Sequence, residues 1–323
     1  MNKPKLVITR KWPKSVEDQL SALYDVQLNA TDIPMMDAEL KHALQTADAL
    51  LPTVTDKITA DIINVPNKRA KIIGNFGVGY NNIDVAAAKE QGLIVTNTPH
   101  VLTDCTADIA MLLLLMSARR AAEGSRMIQN QQWPGWCPTQ LVGQKVTGKT
   151  LGLIGFGRIA QAMAKKAHFG FDMTILFYAP SAPAQDSIDN LQATRCNTIE
   201  ELLAISDFVS LHCPGGVTTQ HLINEQRLKL MRPTAHLINT ARGDVVDSKA
   251  LIKALKHHWI AGAGLDVFEN EPHIDPAFLN LDNVTLLPHL GSATEETRVA
   301  MGERVLQNIN AFFTNKEPGD RVV

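Results

Sequence analysis

Residues 150–164 read TLGLIGFGRIAQAMA, and this stretch decides the fold. The apolar run Leu151–Ile154 has the length and bulk of a buried strand. Gly155-Phe156-Gly157-Arg158-Ile159-Ala160 follows at once, and Ile159, Met163 and Ala167 then recur at helical spacing. Strand, glycine turn and helix in this order form the setting of a dinucleotide fingerprint, here G-x-G-x-x-A. Gly155 permits the tight turn, and Gly157 lets the backbone approach a pyrophosphate. Ala160 stands where a third Gly is usual and keeps the helix close to the strand. Arg158 and Ile159 open the helix, whose free N–H groups and positive dipole end favour phosphate. The expectation is a domain that binds NAD or NADP. An ordinary Gly-rich strand–helix turn is the plain alternative.

The remainder of the composition narrows the class. With 323 residues the chain is long enough for about two domains. A hydrophobic content of 45% and a charged content of 20% describe an ordinary globular chain. A net charge of -2 gives no electrostatic footprint for nucleic acid. Cys105, Cys137, Cys196 and Cys213 show neither metal-ligand spacing nor a disulfide framework, so no metal site is expected and the thiols read as those of a cytoplasmic protein. The opening MNKPKLVITRKW lacks the apolar core of a secretory signal. The longest apolar stretch, Ile109–Met116, is too short to span a bilayer, so no membrane partner is expected.

Strands and helices alternate on both sides of the fingerprint, which predicts parallel sheets. In the first hundred residues, strands are expected at Lys5–Thr9, Ala49–Leu51, Lys71–Gly74 and Leu93–Asn97. Helices are expected at Ser15–Tyr24, with Ser15 as N-cap, at Asp37–Ala47 and at Val85–Gln91. Thr106–Arg119 is apolar all round, and reads either as a crossing between domains that joins a subunit interface or as a plain core helix. Beyond the fingerprint, strands are expected at Thr174–Tyr178, Asp207–Leu211, Ala235–Asn239, Gly262–Asp266 and Val284–Leu287. Asp247 can cap a helix over Ser248–Lys256, and Ser292 with Glu295 makes a capping box for a last helix, Ala293–Asn315. That helix lies beyond the last strand of the cofactor domain and is expected to return to the first domain. The expected organisation is α/β with two doubly wound parallel-sheet domains. A discontinuous, flavodoxin-like substrate domain covers 1–100 plus 292–323, and a Rossmann cofactor domain covers 101–291.

Three segments fall at the C-terminal ends of expected strands, the edge where open α/β sheets bind ligands. They are Asn239-Thr240-Ala241-Arg242-Gly243, Leu265-Asp266-Val267-Phe268-Glu269-Asn270-Glu271-Pro272 and Leu287-Pro288-His289-Leu290-Gly291-Ser292. Together they offer an Arg, a carboxylate and a His. Arg can hold a carboxylate bidentately and polarise the adjacent carbonyl. His can donate a proton, and a carboxylate beside it orients the ring and favours its charged form. That set suits reduction of a 2-keto acid. Each residue alone could equally be structural.

These segments, with TLGLIGFGRIA and the turn NFGVGYNNID at residues 75–84, resemble the D-isomer-specific 2-hydroxyacid dehydrogenases, and within them the glyoxylate/hydroxypyruvate reductase branch. The resemblance runs from about Lys71 to Arg298 and rests on several motifs in the right order. It implies that Arg242 binds substrate, that Glu271 (rather than its neighbour Glu269) partners the His, and that His289 is the acid/base. It further implies that the N–H groups of Val78 and Gly79 hold the substrate carboxylate across a domain cleft, and that Asp266 contacts the nicotinamide carboxamide. Thr106, Thr240, Ala241 and Gly291 match positions around the cofactor. A homodimer is implied too, in which the loop Trp133-Pro134-Gly135-Trp136, or Gln140 after it, reaches the neighbouring active site; local packing of that loop is the alternative.

The chain departs from its family after the second strand of the cofactor domain. NAD-preferring members carry an acid there, whereas this chain has Ala179, then Pro180 and Ser181. An acid would bind the ribose hydroxyls and repel a 2′-phosphate. Its absence removes the repulsion, no Arg takes its place, and Ser181 offers one hydrogen bond. The reading favours NADPH, with NADH also used. A phosphoglycerate dehydrogenase or an enzyme of bulkier 2-keto acids shares these motifs, although many of the former carry a C-terminal regulatory domain and this chain stops at Val323. Formate dehydrogenases of the same fold pair the His with Gln. A non-enzymatic, dinucleotide-sensing corepressor is the reading from another class.

Overall fold

Short runs of two to five residues, most of them apolar, make the strands of the protein, described here by a computed structural model for residues 3–181 and 183–323. The chain divides into two units, Met1–Leu102 with Ala293–Val323, and Thr103–Ser292.

In the first unit, β1 (Lys5–Ile8), β2 (Asp25–Gln27), β3 (Ala49–Leu51), β4 (Ile72–Gly74) and β5 (Ile94–Thr96) form one parallel sheet in the order β2-β1-β3-β4-β5. This is the flavodoxin-like order. Strands β1, β3 and β4 are buried nearly throughout, because helices cover both faces of a parallel sheet. Helix Glu295–Phe313 belongs to this unit. Gly74 lets it approach, since a Cβ there would lie 2.8 Å from Val305 Cγ1, and Gly302 makes the same room for Val16.

Two expected caps are displaced. The last helix begins at Glu295 with Thr294 as its cap, the Thr294 hydroxyl accepting from Thr297 N–H, so Ser292 is not the cap and Glu295 is not its N3 partner. The first helix is Lys14–Leu23 with Pro13 at the cap position, which places Ser15 inside the first turn. Proline has no N–H to lose there and its φ is preset for a helix entry. The Glu17 carboxylate instead reaches back to accept Trp12 N–H at 2.8 Å. The elements that the sequence reading does not place include β2 and the helices Ala60–Ile63 and Ala121–Gln129. β2 has one apolar residue, the second element is a single turn, and the third buries no residue.

In the second unit, β6 (Thr150–Ile154), β7 (Thr174–Tyr178), β8 (Thr194–Arg195), β9 (Phe208–Leu211), β10 (His236–Asn239), β11 (Gly262–Leu265) and β12 (Val284–Leu286) form a parallel sheet in the order β12-β11-β10-β9-β6-β7-β8. The winding reverses at β6, so a crevice opens between the C-terminal ends of β6 and β9, where a dinucleotide binds in this fold. Helix Thr103–Ala118 starts a turn earlier than the periodicity suggests and is a core helix of this unit. It lies so close to β11 that a Cβ on Gly264 would sit 2.8 Å from Leu113 Cβ. Asp247 caps the helix Ser248–Lys256 through Ala250 N–H. Among the described residues no helix is long and apolar enough to cross a membrane.

Gly155 couples this sheet to the fingerprint turn. Its φ is +90°, and a Cβ would meet the His212 carbonyl at 2.7 Å. Gly155→Ala is therefore expected to cost about 2 kcal/mol or more, from the left-handed backbone and the overlap together. A fall in the urea midpoint of the purified variant would show it.

Candidate active site

The site is built on backbone turns held by two buried side chains. Asp266, 1% exposed, follows β11 and receives three successive N–H groups from the loop after β12. His289 N–H donates to the Asp266 carbonyl at 2.9 Å. Leu290 N–H donates to Oδ1 at 2.6 Å and Gly291 N–H to Oδ2 at 2.8 Å. Burial pushes the Asp266 carboxyl up, and the Leu290 and Gly291 N–H groups only partly offset this. The same loop is tied from the other side, as Thr106 Oγ1 donates to the Gly291 carbonyl at 3.0 Å. Held this way, His289 adopts a left-handed φ of +56°, uncommon for a residue with a Cβ.

Asn239, at the end of β10, does the same for the preceding turn. Its Oδ1 accepts Ala241 N–H at 3.0 Å and its Nδ2 donates to the Arg242 carbonyl at 2.9 Å. Its own carbonyl accepts Asp266 N–H, which joins the two turns. From sequence alone Asn239 carries no expected role. A buried amide at a strand end, three residues before the candidate Arg242, is the signal that could have found it.

The structure brings His289 and Glu271 together, with Nδ1 and Oε2 2.8 Å apart. The other Glu271 oxygen accepts Phe268 N–H at 2.9 Å. Burial opposes ionisation of Glu271, but the hydrogen bond and charge of His289, the Phe268 N–H and the Arg242 charge outweigh it and hold the carboxyl below its usual range. Glu269 points elsewhere, to His221 Nε2 at 2.6 Å and Ser248 N–H at 3.1 Å. The two acids of this segment are thus separated by geometry. Arg242 is half-buried, and burial lowers its guanidinium from the usual value while Glu271 and Asp244 raise it. One N–H is spent on the Ala241 carbonyl at 2.7 Å. Its turn lies against the Glu271 segment, since a Cβ on Gly243 would overlap the Phe268 carbonyl.

The fingerprint residues fit a dinucleotide pyrophosphate. Helix Arg158–Phe171 begins at Gly157 with no side-chain cap and no acid in its first turn. The N–H groups of Arg158, Ile159 and Ala160 have no acceptor among the described residues. A Cβ on Gly157 would meet nothing within 4 Å, so the space before these donors is open. Ala160 is fully buried against the sheet. Burial pushes His212, beside Gly155, down to about 4, so it adds no charge at neutral pH. Thr240 lies buried at the β10 turn with a hydroxyl that has no partner among the described residues, and Ala241 beside it is half-buried. At the end of β7, Ala179 is buried and Ser181 exposed. No Arg follows in sequence, but Arg195 of β8 reaches this point, its Nη2 donating to the Ala179 carbonyl at 2.8 Å.

In the first unit, Val78 and Gly79 lie half-buried in the turn after β4. Asn97 Nδ2 holds the Val78 carbonyl at 2.8 Å and Asn75 Nδ2 holds the Gly79 carbonyl at 2.9 Å. Their N–H groups have no acceptor among the described residues. Two adjacent free donors with their carbonyls tied back suit an anion.

Comparison with known proteins identifies the family. Residues 111–291 match the family model of the D-isomer specific 2-hydroxyacid dehydrogenase NAD binding domain. A glyoxylate reductase of Thermococcus litoralis is 44% identical over 99% of this chain and 97% of its own length. The crystal structure of a putative D-isomer specific 2-hydroxyacid dehydrogenase from a Polaromonas species superposes with a TM-score of 0.92 at 37% identity, covering 99% of this chain and all of that one. An NADPH-dependent glyoxylate/hydroxypyruvate reductase of Sinorhizobium meliloti, in complex with NADP and malonate, gives a TM-score of 0.88 at 32% identity, over 100% of this chain and 97% of that one.

The Asp266 arrangement has a direct test. Asp266→Asn keeps one acceptor oxygen but turns an NH2 group toward a backbone N–H. The expected cost is about 1–3 kcal/mol of stability, read from denaturant melts, because a buried donor loses its acceptor. An unchanged midpoint would mean that the loop does not depend on the carboxylate.

Proposed function

Because this chain belongs to the D-isomer-specific 2-hydroxyacid dehydrogenase family, we propose that it reduces glyoxylate and hydroxypyruvate to glycolate and D-glycerate, with NADPH preferred to NADH. The observation that carries the reading is the 2.8 Å pairing of His289 with Glu271, within electrostatic reach of Arg242. An acid/base pair and a fixed cation at the C-terminal edge of a nucleotide-binding sheet are what reduction of a 2-keto acid requires.

A bound nicotinamide supplies the hydride that reaches the C2 carbonyl. Arg242 binds the carboxylate and the keto oxygen through the donors left after its bond to Ala241, and draws electron density from the carbonyl carbon. Val78 and Gly79, whose N–H groups have no acceptor among the described residues, are further proposed substrate-binding residues. Glu271 accepts the Nδ1–H of His289, which orients the ring and leaves Nε2–H as the donor. That proton passes to the forming alkoxide, and the ring remains bonded to Glu271 as the neutral form. Asp266 sets the position of the His289 backbone.

The cofactor preference rests on Ala179, which offers no negative charge against a 2′-phosphate. A homodimer is supported by the end of helix Ala121–Gln129 and the loop after it, where Ile128 on the helix and Trp133 in the loop are about half-exposed and Trp136 is 81% exposed. Apolar exposure of this kind marks an interaction surface. A cytoplasmic location is proposed on cysteine usage alone.

Purified protein mixed with either acid should oxidise NADPH faster than NADH, followed by absorbance of the reduced nicotinamide. Binding of dinucleotide without oxidation by any 2-keto acid would favour the sensing role instead. Arg242→Gln is expected to raise KM and lower kcat, together costing about 10²-fold or more in kcat/KM. Glu271→Gln should lower kcat by about 10²-fold and move the high-pH limit of reduction to lower pH, since the carboxylate that favours the charged pair is gone. A pH–rate profile superimposable on that of the wild type would remove Glu271 from this role.

A further inference from the structure

We propose that Arg195, on the edge strand β8, grips the 2′-phosphate of the NADPH adenosine ribose. The proposal rests on the dinucleotide site described above. In this fold the ribose hydroxyls lie beyond the end of the second strand, where an acid selects NAD and a nearby Arg accommodates the 2′-phosphate. Here that strand is β7, and the residue after it is Ala179, 7% exposed, followed by Pro180 and Ser181. None of these carries charge.

Arg195 comes from the neighbouring strand. β8 pairs in parallel with β7, and Phe177 stands opposite Arg195. Ala179 lies two residues further on, about 6–7 Å along the strand direction. An Arg side chain spans that distance, and the structure shows it doing so, with Nη2 on the Ala179 carbonyl at 2.8 Å. This single bond anchors the guanidinium at the level where the ribose lies. Four of its five N–H donors remain. Among the described residues no carboxylate forms an ion pair with it, whereas Arg227 and Arg232 of the same unit are each paired with an acid. Arg195 is exposed, so solvent reaches its side chain. An unpaired, anchored guanidinium beside a turn without acids is a built anion site, and Ser181 adds a hydroxyl to the same turn.

Sequence order conceals this, because Arg195 and Ala179 are 16 residues apart and meet through strand pairing.

The test is calorimetric binding of NADP+, NAD+ and 2′,5′-ADP to the unliganded protein, which needs no turnover. Arg195→Ala should weaken NADP+ and 2′,5′-ADP by about tenfold or more, the scale of a lost charge-assisted hydrogen bond, and leave NAD+ within about twofold. Arg195→Lys should recover part of the loss. NADP+ affinity of the wild type should fall more steeply with salt than NAD+ affinity. Retained NAD+ binding shows that the variant folds. Equal weakening of both dinucleotides by Arg195→Ala would assign the residue a structural role and overturn the proposal, as would unchanged 2′,5′-ADP affinity. Wild-type protein that binds NAD+ but not NADP+ would overturn the clamp alone. Binding of neither would overturn the dinucleotide site itself, and the clamp with it.

Discussion

Three consecutive N–H groups, those of His289, Leu290 and Gly291, end on Asp266, and the candidate site depends on that convergence. A loop following a strand has no ladder to hold it, and its donors must find acceptors elsewhere. One buried carboxylate and its own carbonyl provide them all. The bonds are short, and they fix a positive φ at His289 that the residue would otherwise avoid. The energy of the buried carboxylate thus goes into the backbone conformation of His289, the proposed proton donor. Asn239 repeats the device one strand away with a neutral amide. The difference is consistent with load, since Asn239 holds one N–H and one carbonyl, and Asp266 holds donors only.

The fold was largely legible because its governing signals are local. Short apolar runs separated by helical periodicity place the strands of a parallel sheet, and the second unit's β7 falls where the sequence puts it, at Thr174–Tyr178. The strand β2 lacked such a signal. Asp25–Gln27 joins the sheet edge with only Val26 as an apolar residue, so backbone pairing alone makes it a strand. The displaced caps at Ser15 and Ser292 show a different limit. Several hydroxyl or carboxyl groups near a helix start compete for the same N–H, and the chain direction at the entry decides among them. Pro13 settles one case by presetting φ, and Thr294 settles the other by extended geometry one residue before Glu295.

The site divides in the same way. Arg242, Glu271 and His289 were legible as a set because each ends an expected strand, and parallel strands deliver their C-terminal ends to one edge. The contacts that hold these three side chains in place were not legible. Nothing in the order of residues says that Glu269 will turn to His221 while Glu271 turns to His289. Nor does it say that Asn75 and Asn97 will tie back the carbonyls of Gly79 and Val78 and leave their N–H groups free. Such facts arise from register, which strand pairing sets at long range.

Two His–Glu pairs on one short segment invite the question of why only one is offered as chemistry. Glu269 is engaged on both oxygens, by Ser248 N–H and by His221, and so fastens the segment to the start of the helix Ser248–Lys256. Gly243 meets the same segment from below at a distance that admits no side chain. Between these two restraints the backbone at Phe268 has little freedom, and Phe268 N–H in turn holds one oxygen of Glu271. The other oxygen is then presented to His289 in a fixed direction. Glu271 can orient a ring only because its own position has been settled by contacts that never touch the ring, and the apparently redundant pair at Glu269 is one of them.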